Sequence, residues 1–397
     1  MTADFKFIVI GRGMMGAAAA RHLARQTNGV AVIGPDEPEQ RKTHEGVFAS
    51  HYDEGRITRT IDPDPNWARL ANRSIARYRE LERESGIAFY SQVGCLVVGP
   101  KRGGEEPYIA DVAAAAETLR VKTALLDDDS LRARFPFFTF PAGSEGVHEP
   151  QGAGHISPRR LVRAQSLLAE KVGAKVLKET VISIREEDGL AVVKTSEGNV
   201  YRAEKALLAA GGFSITENLL ATPVDMKVRG RTVVFFEISE ADAMAFGSMP
   251  SLIYKSPGDV ESIYLLPPIR YPDGKYYIKI GGDPDDYDIR GDAEMRAWFR
   301  TDGRASVREH LTRIIHRLIP DLRPLSVSSA ACVTSYSPSN YPMIDYTASP
   351  NIAVMTGCSG TSAKSSDEIG RLGAELLLDG RINDDAYTTD FAAHFLR

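Results

Sequence analysis

Three glycines near the start of the chain, Gly11, Gly13 and Gly16 in "IGRGMMGAAAARHLA", stand at the spacing that lets backbone close on a pyrophosphate. Gly11 suits the tight turn, Gly13 the close approach of a phosphate, and Gly16 the packing of helix on strand. The phosphate would then rest on free N–H groups at a helix N-terminus, where the dipole favours an anion. A second stretch, "TGCSGTSAKSSDEIG", repeats strand end, glycine turn and helix start near the other end of the chain. Cys332, in "AACVTSYSPSNYPMID", is surrounded by small and hydroxylated residues, and no cysteine close by in sequence offers a bridge or a metal clip. As a thiolate it is a nucleophile; as a thiol it is a small buried hydrophobe. Its neighbours alone do not choose between these. Lys279, in "YYIKIGGD", shares a strand face with Tyr277 while Ile278 and Ile280 point the other way. That lysine is either an edge cation facing water or a charge aimed at a site.

Such residues need elements to hold them. Phe5–Ile10 reads as a buried parallel strand, followed by an alanine-rich helix to about Gln26 and a second strand at Val30–Gly34. The acidic residue that would grip a ribose should end that second strand, where Gly34 stands, so Asp36 or Glu37 is left to reach it. Trp67, Leu70, Ala71, Ile75, Tyr78 and Leu81 fall at helical spacing, and alanine marks another helix over 111–120. Ser157 and Pro158 open a helix as N-cap and first residue. A hairpin turning at Gly198 leads into a strand that ends on Gly211 and Gly212, a place where backbone can press on a ligand. From Met226 to about Leu325 the texture is antiparallel sheet with one helix over 293–318, followed by the return to strand, glycine turn and helix.

The bulk properties set limits. A chain of 397 residues calls for two domains. A net charge of −5 gives no reason to expect nucleic acid as a partner. No apolar run approaches the roughly 20 residues that span a bilayer, and the chain enters a strand pattern at once, leaving no room for a leader. Three scattered cysteines argue against a disulfide framework, so a reducing cytoplasm is the expected location. No membrane or metal is expected.

Taken in order, "GRGMMG", "SHYDEGRITR", "EPQGAGHISPRRL", "LLAAGGFS", "IKIGGD", the Cys332 segment and "TGCSGTSAKSSDEIG" resemble the monomeric sarcosine oxidase branch of the D-amino-acid-oxidase-like flavoproteins, over nearly the whole chain. The resemblance implies an α/β fold: an FAD-binding Rossmann-like domain (1–90, 145–222 and 326–397) and an antiparallel β-sheet substrate domain (91–144 and 223–325), with the flavin ring between them. It implies cofactor contacts at Gly11, Gly13, Met14, Met15, Gly16, Asp36, Ser50, His51, Val181, Ala210, Gly211, Gly357, Ser359, Gly360, Thr361 and Lys364. It also implies a thioether from Cys332 to the flavin, since Asp345 follows thirteen residues on, as in that branch. Cys358 and Cys95 are expected to be packing residues.

For the reaction, the resemblance implies oxidation of an amine carbon by hydride transfer to flavin N5, hydrolysis of the imine, and reoxidation by O2 to hydrogen peroxide. Arg59 and Lys364 would hold the carboxylate of an amino-acid-like substrate, Lys279 would assist oxygen, and Arg56 and His51 would lie beside the flavin. The helix after Gly360 would aim its N-terminus at the developing flavin anion. Three departures concern the substrate pocket: Leu265 and Thr334 stand where the branch has aromatic residues, and Asp283 where it has a histidine. These swaps point to a roomier, more acidic pocket than one for sarcosine, for an N-substituted amino acid, hydroxylated or sugar-derived. The competing expectations are a D-amino-acid or 2-hydroxy-acid dehydrogenase using another acceptor, and a flavin-binding subunit of a larger complex. A monomer or small homo-oligomer fits either.

Overall fold

The computed structural model of the protein describes residues 2–256 and 262–396. The opening βαβ unit forms as its residues dictate: β1 (Phe5–Ile10), α1 (Met14–Ala24) and β2 (Val30–Ile33), with β1 and β2 parallel. All four residues of β2 are buried, as a parallel strand covered on both faces requires. Gly11 has φ of +108°, and a Cβ there would lie 2.3 Å from Ala209 O; one on Gly16 would lie 1.9 Å from Gly11 O. Any side chain at either position would push the helix off the strand.

Around this unit an eight-stranded sheet runs in the order Val181–Glu187, Leu190–Thr195, Val200–Leu208, β1, β2, Lys175–Leu177, with Ile352–Thr356 beside Val200–Leu208 and Met343–Tyr346 beyond it. The closing helix Ser366–Asp379 packs on α1, where Gly370 lies so close that a Cβ would be 2.5 Å from Ala18 Cβ. A nine-stranded sheet is centred on the long strand Lys227–Ile238, and a small three-stranded sheet pairs Arg56–Thr58 and Tyr90–Ser91 with Gly154–Ile156. This is an FAD-domain-like Rossmann layer plus a separate β-sheet. The helix Pro158–Lys171 begins as the sequence predicts, with Ser157 Oγ accepting Arg160 N–H at 3.1 Å, and at the start of Pro65–Ser85 Asp64 accepts the Asn66 and Trp67 N–H groups at 2.9 Å.

Two boundaries differ from expectation. The strand Ser326–Tyr336, assigned from sequence to the nucleotide domain, pairs along its length with Lys227–Ile238, and Ser144–Glu149 also lies in the nine-stranded sheet. The single helix expected over 293–318 is two, Asp292–Arg300 and Ala305–Leu318. Thr301 is extended and Gly303 has φ of +79°, which breaks the helical hydrogen-bond ladder. Gly303 backs onto Thr232, whose Oγ1 accepts Arg304 N–H at 3.0 Å.

Candidate active site

Strand register decides which side chains meet. In the nine-stranded sheet Arg231 lies opposite Cys332, Val233 opposite Gly281, and Gly281 opposite Tyr264. Directly opposed residues share a face and alternate residues return to it, so Tyr264, Lys279, Gly281, Val233, Arg231, Cys332, Thr334 and Tyr336 occupy one face. The other face carries Leu265, Ile278, Ile280, Val234 and Phe236 into an apolar core. Leu265 is fully buried there. It does not line the substrate pocket; Tyr264, one residue earlier, does. A one-residue offset in a strand moves a side chain to the opposite face, so the aromatic wall thought lost is present in Tyr264.

Between the two sheets lies a cavity of about 1520 Å³, above the usual ~300–1,000 Å³ of a ligand pocket and long enough to reach from the β1–α1 turn to the nine-stranded sheet. Its walls include Gly11, Gly13, Met14, Met15, Asp36, Ser50, His51, Arg56, Arg59, Val181, Ala210 and Gly211 from the nucleotide side. Asp283, Cys332, Thr334, Ser359, Gly360, Thr361 and Lys364 complete them. Gly16 and Gly357 are not in the wall. Gly16 is used against β1, and Gly357, with φ of +79°, turns the chain against Ser337.

Whether the wall fits FAD can be read from its unmet polar groups. The helix α1 has no side-chain cap and no acid in its first turn, so its first N–H groups are free for a phosphate. A Cβ at Gly13 would have only His51 Nδ1 near it, at 3.9 Å, and one at Gly211 would meet nothing within 4 Å. His51 Nδ1, Ser359 Oγ and Arg12 Nε are buried without hydrogen-bond partners, all in the cavity wall. Buried orphans are rare and costly, and a polar cofactor would satisfy them. Ser359 holds a left-handed backbone, φ +48°, in the turn before Gly360. The residues present fit the group.

At the end of the second strand Arg12 fills the space that Gly34 leaves. Gly34 has no side chain because Arg12 lies over it, with Arg12 Cγ 3.1 Å from where a Cβ would be. Arg12 Nη1 donates to Gly34 O at 2.7 Å and pairs with Asp36 at 3.1 Å, while Lys178 pairs with Asp36 at 2.7 Å. Asp36 therefore lies in the wall as a braced carboxylate, and Glu37, also in the wall, pairs with Arg159 at 2.7 Å.

Arg56 is the hub on the other side. It lies on the short strand Arg56–Thr58, donates to Asp53 and to Ser50 O at 2.8 Å, and brings Nη2 to 3.7 Å from Cys332 Sγ. Lys279 is fully buried beneath this hub. Its Nζ is 2.6 Å from Asp53 Oδ2 and 2.5 Å from Gly55 O, and it does not reach the cavity wall. Burial first, then Arg56, drives its pKa well down; Asp53 is the countercharge beside it. Expected to face the site directly, the lysine instead lies one layer below.

Arg59 and Lys364 are brought together in the wall. Both reach one carboxylate oxygen, Asp62 Oδ2, at 3.2 and 3.3 Å. Burial opposes the charge on Arg59, but Asp62 and the groups around it hold its pKa above the usual value. Burial and then Arg59 lower Lys364 to about 8. His51 is on the Gly13 side and neutral: burial, then Arg159, Arg12 and Arg56, bring it to about 3. Asp283 is in the wall, but its carboxylate is engaged by Thr232 N–H at 3.1 Å and Arg304 at 3.3 Å, so the extra anion is already met from inside. Thr334 Oγ1 accepts from Arg231 at 3.2 Å and donates to Tyr336 OH at 3.2 Å. Cys358 packs on Met15, its pKa raised to about 11 by burial; Cys95 is core. Asp345 lies outside the cavity, accepting Tyr346 N–H at 2.7 Å.

Sequence reasoning missed Arg12, Asp53, Asp62, Arg231 and Tyr264. Arg12 was legible, as a charge between two motif glycines. The others need strand register or a loop path that no local pattern encodes. Among the described residues, no helix is long and apolar enough to cross a membrane and no cluster of metal-ligating side chains is present.

Comparison with known proteins agrees with this geometry. Residues 6–376 match the DAO family, described as FAD dependent oxidoreductase. The chain is 26% identical over 392 residues to the monomeric sarcosine oxidase of a Bacillus species, covering 97% of this chain and 95% of that one. It is 23% identical over 378 residues to N-methyl-L-tryptophan oxidase of Citrobacter koseri, covering 94% of each. Among solved structures, NikD, described as an unusual amino acid oxidase essential for nikkomycin biosynthesis, shares the fold with a TM-score of 0.78 at 20% identity, covering 100% of this chain and 99% of that one. With a glycine turn and helix N-terminus open to a phosphate at one end of the cavity, and a match that spans most of its length, this chain belongs to the DAO family of FAD-dependent oxidoreductases.

Proposed function

We propose that the protein oxidises the C–N bond of a secondary amine, an N-substituted amino acid, with O2 as final acceptor. The observation that carries this is the convergence of Arg59 and Lys364 on a single carboxylate oxygen in the wall of the FAD cavity. A planar guanidinium with a point charge beside it is what an amino-acid carboxylate needs. Bound FAD supplies the two-electron acceptor and, on meeting O2, gives hydrogen peroxide. The chain's own residues do the rest. Arg59 and Lys364 fix the carboxylate, and their charge favours the unprotonated substrate nitrogen by lowering its pKa. Tyr264 and Gly281 shape the wall opposite, and water hydrolyses the imine product. Cys332, with Arg56 Nη2 at 3.7 Å, supplies the sulfur for a thioether to the cofactor.

The relatives' printed substrates, sarcosine and N-methyl-L-tryptophan, support an amine of this class. Asp53 on Lys279 supports a second reading, a dehydrogenase on the same fold, because a carboxylate 2.6 Å from the lysine offsets the charge that would draw O2. One experiment separates them. Anaerobic mixing with a panel of N-substituted amino acids should bleach the flavin, and admitting air should restore the yellow with stoichiometric peroxide. Bleaching that air does not reverse, but an artificial acceptor does, selects the dehydrogenase. No bleaching by any such amine removes the substrate class.

A further inference from the structure

Arg59 and Lys364 face the cavity, yet the carboxylate they hold belongs to the chain itself. Asp62 is nearly enclosed, 9% exposed, and its second oxygen accepts Asp64 N–H at 3.3 Å. It lies in the irregular stretch between the strand Arg56–Thr58 and the helix Pro65–Ser85. Both ends of that stretch are anchored without Asp62. Thr60 is held through its N–H and hydroxyl by Glu149, and Asp64 caps the helix and accepts Tyr341 OH. Rotation of the Asp62 side chain would release Arg59 and Lys364 without undoing either anchor.

Two cations with one internal carboxylate carry a net charge of +1 rather than +2. A carboxylate arriving from the cavity therefore meets partners already engaged and gains affinity only when Asp62 yields. We infer that Asp62 is an internal competitor for the substrate-carboxylate position and, through it, a specificity-determining residue of the reaction. The inference rests on the amine-oxidase reading above. A competitor lowers apparent affinity by the fraction of time the site is free. It acts on every carboxylate by the same factor and leaves neutral ligands alone, which hands selectivity to the rest of the cavity wall. Arg59 and Lys364 also have partners in the empty pocket, so neither is left as an unpaired buried charge between turnovers.

The test uses the FAD-loaded protein and two isosteric probes, acetate and acetamide, titrated against the flavin absorbance spectrum. Asp62→Asn, and Asp62→Ser as a second variant, should bind acetate at least tenfold tighter than wild type with acetamide unchanged. A retained flavin spectrum reports that the cavity is intact. Unchanged or weaker acetate binding in both variants means that Asp62 supports the cations rather than competing for them, and overturns the inference. Arg59→Ala separates the two layers of argument. If it weakens acetate while the Asp62 variants fail to tighten it, only the competitor falls. If it leaves acetate binding untouched, the carboxylate site itself falls, and the competitor with it.

Discussion

The Nζ of Lys279 and the carboxylate of Asp53 are 2.6 Å apart, and the same Asp53 oxygen also receives Arg56. Asp53 Oδ1 accepts Tyr271 OH and Glu54 N–H, each at 2.7 Å, so every lone-pair direction of the carboxylate is used. Two cations around one buried anion leave a net positive charge just below the cavity wall. Burying such a group is tolerable only while its partners are intact.

That arrangement makes two different substitutions converge. Lys279→Met removes the ammonium outright. Asp53→Asn removes the countercharge, and a fully buried lysine beside Arg56 then loses its proton. For the proposed oxidase, both should slow flavin reoxidation by O2 at least a hundredfold, about 2.7 kcal/mol of transition-state stabilisation. Flavin reduction by substrate should change less than tenfold. Stopped-flow absorbance measures both halves. Wild-type reoxidation in either variant means that the charge of Lys279 does not reach the oxygen reaction.

Cys332 gives a second expected outcome. Its Sγ lies in the cavity wall, 3.7 Å from Arg56 Nη2, and Trp298 Nε1 donates to its carbonyl at 2.8 Å, which fixes the strand beneath it. With FAD bound, Sγ should bond to the 8α-methyl carbon. The carbon's proton leaves, two electrons pass to the flavin, and O2 takes them up. Acid precipitation of the loaded wild type should leave yellow in the pellet, whereas Cys332→Ala should release it to the supernatant. Full release from wild type removes the thioether.

Much of this was legible before any coordinates. Glycine spacing, the cap at Ser157 and the return of strand and glycine turn near the C-terminus are local signals, set by φ and by helix termini. Arg59 and Lys364 were named together only through a resemblance, since a separation of 305 positions carries no clue that they meet. What failed to read out was register. Leu265 and Tyr264 differ by one position, and only the pairing of Tyr264 with Gly281 says which one faces the cavity. The engagement of Asp283 by Thr232 and Arg304 is likewise a product of strand pairing and of the helix break at Gly303. Lys279 stood out as a lysine on an apolar strand, but its partner Asp53 lies 226 residues away.

The pH dependence of ligand binding should report Lys364. Its pKa of about 8, lowered by burial and then by Arg59, means that it loses its proton within an accessible range. The protonated form holds a carboxylate, so the Kd of acetate should be flat below about pH 8 and rise by up to tenfold per pH unit above it. Acetate carries no amine, so the break cannot come from the ligand. Lys364→Met should weaken acetate and abolish the break. A flat profile in wild type to pH 10 would place the carboxylate on Arg59 alone.

Acid stability should be set by three buried imidazoles. Burial lowers His51 to about 3 and His148 and His155 to about 4, and the buried Nδ1 of each lacks a hydrogen-bond partner. Cations reinforce the effect: Arg159 first among them for His51, Arg134 for His148, and Lys279 for His155. In the unfolded chain each imidazole takes its proton near pH 6.5. Above that value folded and unfolded states are both neutral, and the histidines have no effect. As pH falls from 6.5 toward 4 the unfolded state gains protons that the folded state refuses, so stability is lost at about 1.4 kcal/mol per pH unit for each group. From pH 6.5 to 4.5 the three together remove roughly 6 to 7 kcal/mol, comparable to the whole stability of many domains. Urea unfolding at pH 6.5, 5.5 and 4.5 measures this directly. Because His148 and His155 lie outside the cavity wall, the loaded protein should still lose about two-thirds of that amount. His148→Phe should flatten the slope by close to one proton. Equal unfolding free energies at pH 6.5 and 4.5 would mean that the imidazoles find acceptors on protonation and do not set the acid limit of the fold.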